Sequence, residues 1–213
     1  MNRVCFIGAS TTEGMGDEEG IGWPGRLSRS FRQGTGSFNL GVRGQTVFQI
    51  ADRAVAECRA RLLDRDGGRI ILGAAMNEMA RFAEDGRERF ARSDILGAYA
   101  RLIDDLRELA SLLVVGPAPV FEARMPFYSQ ANRTSFDYRN TDLKWLDAEL
   151  RSICAMQSVP YISILPALIE DCRYQSGLAR TDGLHPDHRG YAAAAEFIAE
   201  QPAWQEIIRQ RRS

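Results

Sequence analysis

Histidine and cysteine are scarce in this sequence of 213 residues, and long apolar runs are absent from it. The four cysteines form no Cys-x-x-Cys pair, so the spacing typical of a thiolate metal site or of a disulfide framework is missing. They are Cys5, Cys58, Cys154 and Cys172. No apolar run approaches the roughly 18 residues of a transmembrane helix, and MNRVCFIGAS has too short an apolar stretch for a signal peptide. We therefore expect a cytoplasmic protein without membrane insertion; a signal sequence removed beforehand stays an open alternative.

An excess of charge of either sign is missing as well. The chain carries 27 basic and 28 acidic residues, for a net charge of −1. Nucleic acids and anionic membranes are usually bound through a basic patch, so this balance argues against both as partners. The hydrophobic content of 45% suits one compact domain over residues 1–213.

Short apolar runs alternate with stretches of helical periodicity. The runs are residues 4–7, 37–40, 70–72, 112–115 and 161–164. The helical patterns cover residues 50–63, 95–109 and 143–156, with a late helix in 186–200. This alternation predicts an α/β fold with a mainly parallel sheet covered by helices on both faces. Residues 79–92 and 117–135 are predicted to be long connections, which either cover a pocket or lie on the surface without a role.

Both histidines of the chain, His185 and His188, fall in the segment TDGLHPDHRGY. Any mechanism that needs an imidazole must therefore use this segment. Asp182 precedes His185 by three residues across a glycine, so in a turn its carboxylate can reach Nδ1 and orient the ring. The alternative interpretation is a capping turn before a helix.

A second group of polar positions follows the predicted strands. Ser10 comes after the first strand through Gly8, Gly41 follows the second, and Asn77 follows the third. Residues just past the carboxyl ends of parallel strands share one edge of the sheet, where ligands bind. The Ser10 and Gly41 N–H groups and the Asn77 amide could therefore point at one oxyanion.

Two other kinds of site fit parts of the same residues. Asp182, His185, Asp187 and His188 offer potential metal ligands, but one short turn rarely closes a full site and no second cluster supplies the rest. The stretch GASTTEGMG could cradle a phosphate, although no Gly-Lys-[Ser/Thr] follows it. The Gly-x-Ser-x-Gly elbow of ordinary α/β-hydrolases is absent from the sequence.

Four short segments resemble sequence blocks of the SGNH hydrolases, also called the GDSL esterase family. In family order, GASTTEG resembles the first block, NLGVRGQT the second, AAMNE the third and DGLHP the fifth, together spanning residues 4 to 186. The resemblance implies a three-layer α/β/α, flavodoxin-like fold of about five parallel strands. It also implies Ser10 as nucleophile, His185 as base and Asp182 as its orienting acid, with oxyanion donors at Ser10, Gly41 and Asn77, and no cofactor or metal.

The chain departs from the family pattern at Ala9, Ala75 and Glu78, where the family usually has Asp, Gly and Asp. None of these changes removes a predicted catalytic group. The resemblance implies a hydrolase that cleaves carboxylic esters of small or medium acyl groups through an acyl-enzyme, with a small-molecule ester as its partner. Two alternatives remain: an acyltransferase that passes the acyl group to a sugar or another alcohol, and a non-catalytic binding protein. The oligomeric state stays open.

Overall fold

The computed structural model describes residues 3–62 and 68–209. The strands are β1 (Arg3–Gly8), β2 (Gly36–Gly41), β3 (Gly68–Gly73), β4 (Arg81–Phe82), β5 (Ser111–Val115), β6 (Phe127–Ser129), β7 (Thr134–Asp137) and β8 (Tyr161–Ile162). The helices are α1 (Ser10–Glu13), α2 (Gly22–Ser28), α3 (Val47–Leu62), α4 (Arg92–Leu109), α5 (Asn140–Met156), α6 (Leu165–Glu170), α7 (Cys172–Arg180), α8 (His188–Glu200) and α9 (Pro202–Arg209).

The central sheet has five parallel strands in the order β2-β1-β3-β5-β8. Successive residues of a strand point to opposite faces, and β1 shows which helices lie on each. The side chain of Cys5 faces Cys58 of α3, whereas the ring of Phe6 packs against Trp23 of α2 and Trp204 of α9. Helices therefore cover both faces, and the predicted α/β architecture is confirmed.

Several predicted boundaries shift by a few residues. The helix expected over residues 50–63 begins earlier, at Val47, and the last residue of the prediction lies outside the described residues. The late helix begins at His188, because the side chain of Asp187 accepts the N–H groups of Arg189 and Gly190 and so caps α8.

A second, three-stranded sheet of order β4-β7-β6, which the sequence pattern did not predict, lies mostly within the two predicted long connections, and β7 extends past the end of the second one. Its strands are antiparallel, and the rings of Phe82 and Phe136 pack across it at 5.5 Å. The carboxylate of Asp142, in the first turn of α5, accepts hydrogen bonds from the guanidinium groups of Arg81 in β4 and Arg92 in α4. This ion-pair group fastens the small sheet to the helical layer.

None of the described helices combines the length and apolar content that a bilayer crossing requires.

Candidate active site

Ser10 lies at the first position of α1, directly past the carboxyl end of β1, and is 7% exposed. The chain turns there through Gly8. A Cβ atom at Gly8 would lie 2.2 Å from the hydroxyl oxygen of Thr12, so only glycine lets α1 fold back this closely on β1. The tight packing of α1 against the strand thus places the Ser10 side chain at the sheet edge.

This turn is held without the aspartate that the family usually has at position 9. The Gly8 carbonyl accepts the Val42 N–H at 3.1 Å and Nη2 of Arg53 at 3.0 Å. The side-chain amide of Asn39 donates to the Thr12 carbonyl at 2.9 Å, which ties α1 to β2. Bonds from two other segments, β2 with the residue after it and α3, therefore hold this turn without an aspartate.

Ser10, His185 and Asp182 form a continuous chain of hydrogen bonds. Nε2 of His185 lies 2.8 Å from Oγ of Ser10, and Nδ1 lies 2.7 Å from Oδ2 of Asp182. The other carboxylate oxygen of Asp182 accepts the N–H groups of Leu184 and His185, both at 2.9 Å. The carboxylate thus holds both the loop and the ring, in the arrangement that orients an imidazole toward a hydroxyl.

The surroundings of Asp182 favour its ionised form. Burial opposes ionisation, but the hydrogen bond and charge of His185, together with the two loop N–H groups, outweigh it and hold the pKa of Asp182 below its ordinary value. His185 is 5% exposed, so the ring is shielded from water on most sides. A charged carboxylate therefore faces the ring nitrogen opposite Ser10.

Gly41 lies away from the site predicted for it. Its N–H donates to Oδ1 of Asn39 at 3.0 Å, and it is not among the residues that line the cavity beside Ser10. The second strand was predicted to end at residue 40, whereas β2 includes Gly41. A Cβ atom there would lie 2.1 Å from the Glu13 nitrogen, so this glycine serves the approach of α1 to β2.

Asn77 lies beside Ser10 at the cavity, as the sequence predicted, but the glycine that accompanies it there is Gly44. Its Nδ2 donates to the Gln45 carbonyl at 2.8 Å, and its Oδ1 is 3.3 Å from the hydroxyl of Tyr138. Gly44, the residue before Gln45, lines the same cavity as Ser10, Asn77 and His185. The structure thus brings Gly44, rather than Gly41, to the site.

Glu78 occupies the buried side of the Asn77 turn. Its carboxyl group is hydrogen-bonded to the hydroxyl of Tyr99 and accepts the Val47 N–H at 3.3 Å. Burial raises the pKa of Glu78, and these hydrogen bonds and the charge of Arg89 only partly oppose that. The extra methylene relative to aspartate is therefore used to join this turn to α4 and to the start of α3.

The four potential metal ligands of TDGLHPDHRGY separate into two groups. Asp182 and His185 bond each other, while Asp187 caps α8 and bonds Arg180 at 2.6 Å. His188 lies in the first turn of α8 and faces Glu18 at 3.1 Å. Glu18, Asp187 and His188 come close together, but the Asp187 carboxylate already serves the helix and Arg180.

Ser10 and His185 open into a cavity of about 500 Å³. One side comes from the ends of β1 and β3 and from the His185 loop. The other side comes from β6, β7 and the turn between them, and the ring of Phe127 meets that of His185 edge-on at 6.2 Å. The lining residues are Ser10, Met15, Arg43, Gly44, Asn77, Arg89, Phe127, Tyr128, Ser129, Gln130, Ala131, Asn132, Phe136, Tyr138, Leu184 and His185.

Sequence reasoning missed Gly44, Arg89, Phe127 and Tyr138 at this site. Gly44 stands in the quoted block NLGVRGQT, but the spacing within the block does not distinguish it from Gly41. Arg89 and Phe127 fall in the two segments predicted as long connections. Because both residues line the cavity, the alternative in which these segments cover a pocket is the correct one. Which of their side chains face the cavity depends on the pairing of β6 with β7, which the sequence pattern did not indicate.

Solved structures of similar fold include hydrolases from several bacteria. A carbohydrate acetylesterase family member from Sinorhizobium meliloti is 18% identical, covers 98% of this chain and 99% of its own, and superposes with a TM-score of 0.68. A catalytic mutant of an acetylxylan esterase from Geobacillus stearothermophilus is 14% identical, with coverages of 97% and 94% and a TM-score of 0.68. A lipolytic protein of the G-D-S-L family from Veillonella parvula is 17% identical, with coverages of 94% and 97% and a TM-score of 0.67.

A sequence comparison with curated proteins gives no match. A comparison with protein families matches residues 6–193, a range that includes Ser10, Asn77, Asp182 and His185. The matched range covers most of the chain, and the parallel sheet is that of the solved structures named above. The chain therefore belongs to the GDSL-like lipase/acylhydrolase family.

Proposed function

We propose that this protein is a serine esterase that hydrolyses carboxylic esters of small or medium acyl groups through an acyl-enzyme on Ser10. The observation that carries the proposal is the chain of hydrogen bonds from Asp182 through His185 to Ser10, at 2.7 and 2.8 Å. A serine hydroxyl is a weak nucleophile by itself and needs an adjacent base that is oriented by a third group. Asp182 and His185 supply that pair.

In this mechanism, Oγ of Ser10 attacks the ester carbonyl carbon while its proton passes to Nε2 of His185. Asp182 stabilises the imidazolium that forms. The tetrahedral intermediate then collapses, and the alcohol leaves with the proton from His185. Water attacks the acyl-enzyme by the same route, with His185 again as base, which releases the acid and restores the Ser10 hydroxyl.

Three N–H donors are available for the oxyanion. The Ser10 N–H is in the first turn of α1, where a helix has no internal acceptor. Nδ2 of Asn77 donates one of its two hydrogens to the Gln45 carbonyl, so the second hydrogen is left for a group in the cavity. Among the described residues the Gly44 N–H has no acceptor, so we assign it the role that the sequence analysis expected of Gly41.

The relatives support an ester as substrate. Two similar structures are named as a catalytic mutant of an acetylxylan esterase and as a carbohydrate acetylesterase family member. A cavity of about 500 Å³ admits a small acyl group together with part of its alcohol.

The test is the intact mass of the protein after incubation with a fluorophosphonate, which labels activated serines. We expect one adduct on the wild type and none on Ser10→Ala. The matched control is Ser129→Ala, because Ser129 lines the same cavity from the β6 side and bonds Asn132 rather than a histidine. The Ser129→Ala control should form the adduct as the wild type does. In a separate assay, the unlabelled wild type should release para-nitrophenol from para-nitrophenyl acetate.

Labelling of Ser10→Ala to the wild-type extent would place the reactive group elsewhere. A wild type that is folded but gains no adduct and cleaves no ester would contradict the proposal and favour a non-catalytic binding protein.

A further inference from the structure

The cavity beside Ser10 is lined by two arginines in different electrostatic states. The guanidinium of Arg43 donates to both carboxylate oxygens of Glu13, at 2.5 Å for the shorter contact. The backbone N–H of Arg43 donates to the same carboxylate at 2.8 Å. Its charge is therefore balanced within the protein. Arg89, by contrast, has no carboxylate within ion-pair distance among residues 3–62 and 68–209, although it too faces the cavity.

Arg89 is held in place by groups that form no ion pair with it. Its guanidinium carbon lies 5.1 Å from the ring centre of Phe136 and 5.3 Å from that of Phe90. One guanidinium N–H donates to the Asn77 carbonyl at 3.2 Å, and within the described part of the chain its other N–H groups meet no acceptor. Aromatic faces and one carbonyl thus position the group and leave most of its donors for a ligand.

The acid nearest to Arg89 in the Asn77 turn does not take up these donors. Glu78 is 1% exposed and directs its carboxyl group to the Tyr99 hydroxyl and the Val47 N–H. Since it serves these two groups beneath the turn, the cavity side of the Arg89 guanidinium stays open to an anion.

We infer that Arg89 binds a carboxylate carried by the ester substrate, so that this enzyme prefers anionic over neutral esters. The inference rests on the proposed esterase function. A guanidinium presents parallel N–H groups that match a carboxylate in a two-point contact, and such charge-assisted bonds are stronger than neutral ones. Because Arg89 bonds the Asn77 backbone, the anionic group would lie on the Asn77 side of the scissile carbonyl.

The carboxylate could belong to the acyl group or to the alcohol, and two substrate pairs separate these sources. The acyl pair is para-nitrophenyl hydrogen glutarate and para-nitrophenyl valerate. The alcohol pair is an O-acetylated methyl glucuronide and the matching O-acetylated methyl glucoside. For each pair, the ratio of kcat/KM for the anionic ester to that for the neutral ester is measured in the wild type and in variants.

We expect Arg89→Gln to lower this ratio about 10- to 100-fold in one of the two pairs, the size expected for losing hydrogen bonds to a charged group. Arg89→Lys should keep part of the preference, since it retains the charge without the two-point geometry. The matched control is Arg87→Gln: Arg87 lies two residues away and stacks on Phe82 at 4.6 Å, but it does not line the cavity. Its ratios should equal those of the wild type.

An unchanged ratio in Arg89→Gln for both pairs, in an enzyme that cleaves the neutral esters, would overturn the inference and leave the esterase function intact. If the wild type cleaves no ester at all, the proposed function fails, and calorimetric titration with sodium glutarate decides the inference separately. Binding to the wild type that is lost in Arg89→Gln and kept in Arg87→Gln would support the anion site, and absence of binding to the wild type would overturn it.

Discussion

The two walls of the cavity are built in different ways. On one wall, Ser10 and Asn77 follow the carboxyl ends of β1 and β3, and short turns set their positions. The opposite wall consists of β6, β7 and their turn, which belong to a small antiparallel sheet outside the main one. The first wall carries the groups proposed for the chemistry, and the second carries apolar and amide side chains that can meet the rest of a substrate.

This division follows from how each wall is stabilised. The turn of Ser10 is fastened by backbone and side-chain bonds from β2 and α3, and the first strand beneath it is buried. The opposite wall rests largely on ion pairs and on a few aromatic contacts, and Tyr128 is 57% exposed. The groups proposed for the chemistry thus lie at the edge of the buried sheet, while the side chains that can meet the rest of a substrate lie on the more exposed wall.

The largest effect should come from the histidine on the first wall. We expect His185→Ala to lower kcat for an activated ester about 10⁴-fold or more, because Ser10 then has no base. The matched control is the second histidine of the chain: His188→Ala, at a partly exposed position in the first turn of α8, should change kcat little. Steady-state kinetics on para-nitrophenyl acetate measures both, and a comparable loss in the two variants would mean that the segment matters for folding rather than for catalysis.

A second comparison sets an asparagine of one wall against an asparagine of the other. We expect Asn77→Ala to lower kcat about 100- to 1,000-fold with little change in KM, as for other oxyanion donors, whereas Asn132→Ala should change kcat less than about fivefold. Both residues line the cavity. If the two variants lost activity equally, Asn77 would not be distinguished as an oxyanion donor.

A third prediction concerns the support of the second wall. Burial opposes ionisation of Asp142, but hydrogen bonds and charges of Arg81 and Arg92 hold its pKa below the ordinary value. Asp142→Asn removes the more buried of the two carboxylates that Arg81 and Arg92 share and leaves both arginines with Glu88, so we expect a loss of about 2 kcal/mol in the free energy of unfolding at neutral pH. Denaturant titration measures this loss.

The pH dependence of that loss has a definite sign. A carboxyl group whose folded pKa is lowered stabilises the protein above its unfolded pKa of about 4, and this stability is lost as the pH falls through the folded value. The difference between wild type and Asp142→Asn should therefore shrink below about pH 4. Asp104→Asn, which removes an exposed pair with Arg107, is the control and should cost less than about 1 kcal/mol. Equal losses in the two variants would refute the anchoring role of Asp142.

The smallest effect should come from Phe127 on the second wall. Its ring packs against His185 at 6.2 Å and lines the cavity. We expect Phe127→Ala to raise KM for a medium-chain ester about fivefold, since roughly 1 kcal/mol of apolar contact is lost, and to leave acetate esters nearly unaffected. A loss of kcat as large as that of Asn77→Ala would show that this wall also takes part in the chemistry.

The sequence predicted the first wall better than the second. Ser10, Asn77, Asp182 and His185 were assigned from local patterns: a glycine after an apolar run, a polar residue past a strand, and an acid three residues before a histidine. Such patterns are short-range, and the parallel topology then brings strand ends to one edge. The structure places these four side chains as those patterns led us to expect, while their catalytic roles remain a proposal.

Gly41 shows where local reasoning reached its limit. Both Gly41 and Gly44 follow an apolar run, and nothing in the spacing of NLGVRGQT separates them. The choice depends on Asn39, whose side chain takes the Gly41 N–H, and on Glu13, whose backbone lies against the Gly41 Cα. The bond from Gly41 to Asn39 is local, but the contact between Gly41 and Glu13 joins residues far apart in the chain.

By itself, the sequence determined the class of the fold, the five strands of the main sheet, and the residues that we propose as nucleophile, base and acid, because periodicity and turn chemistry act over a few residues. Only the tertiary structure decided which glycine faces the cavity and that β4, β7 and β6 pair into a second sheet. It also decided that Arg89 has no carboxylate within ion-pair distance among the residues that the structure describes. Strand pairing and charge compensation depend on which distant segments meet, and no local pattern records that.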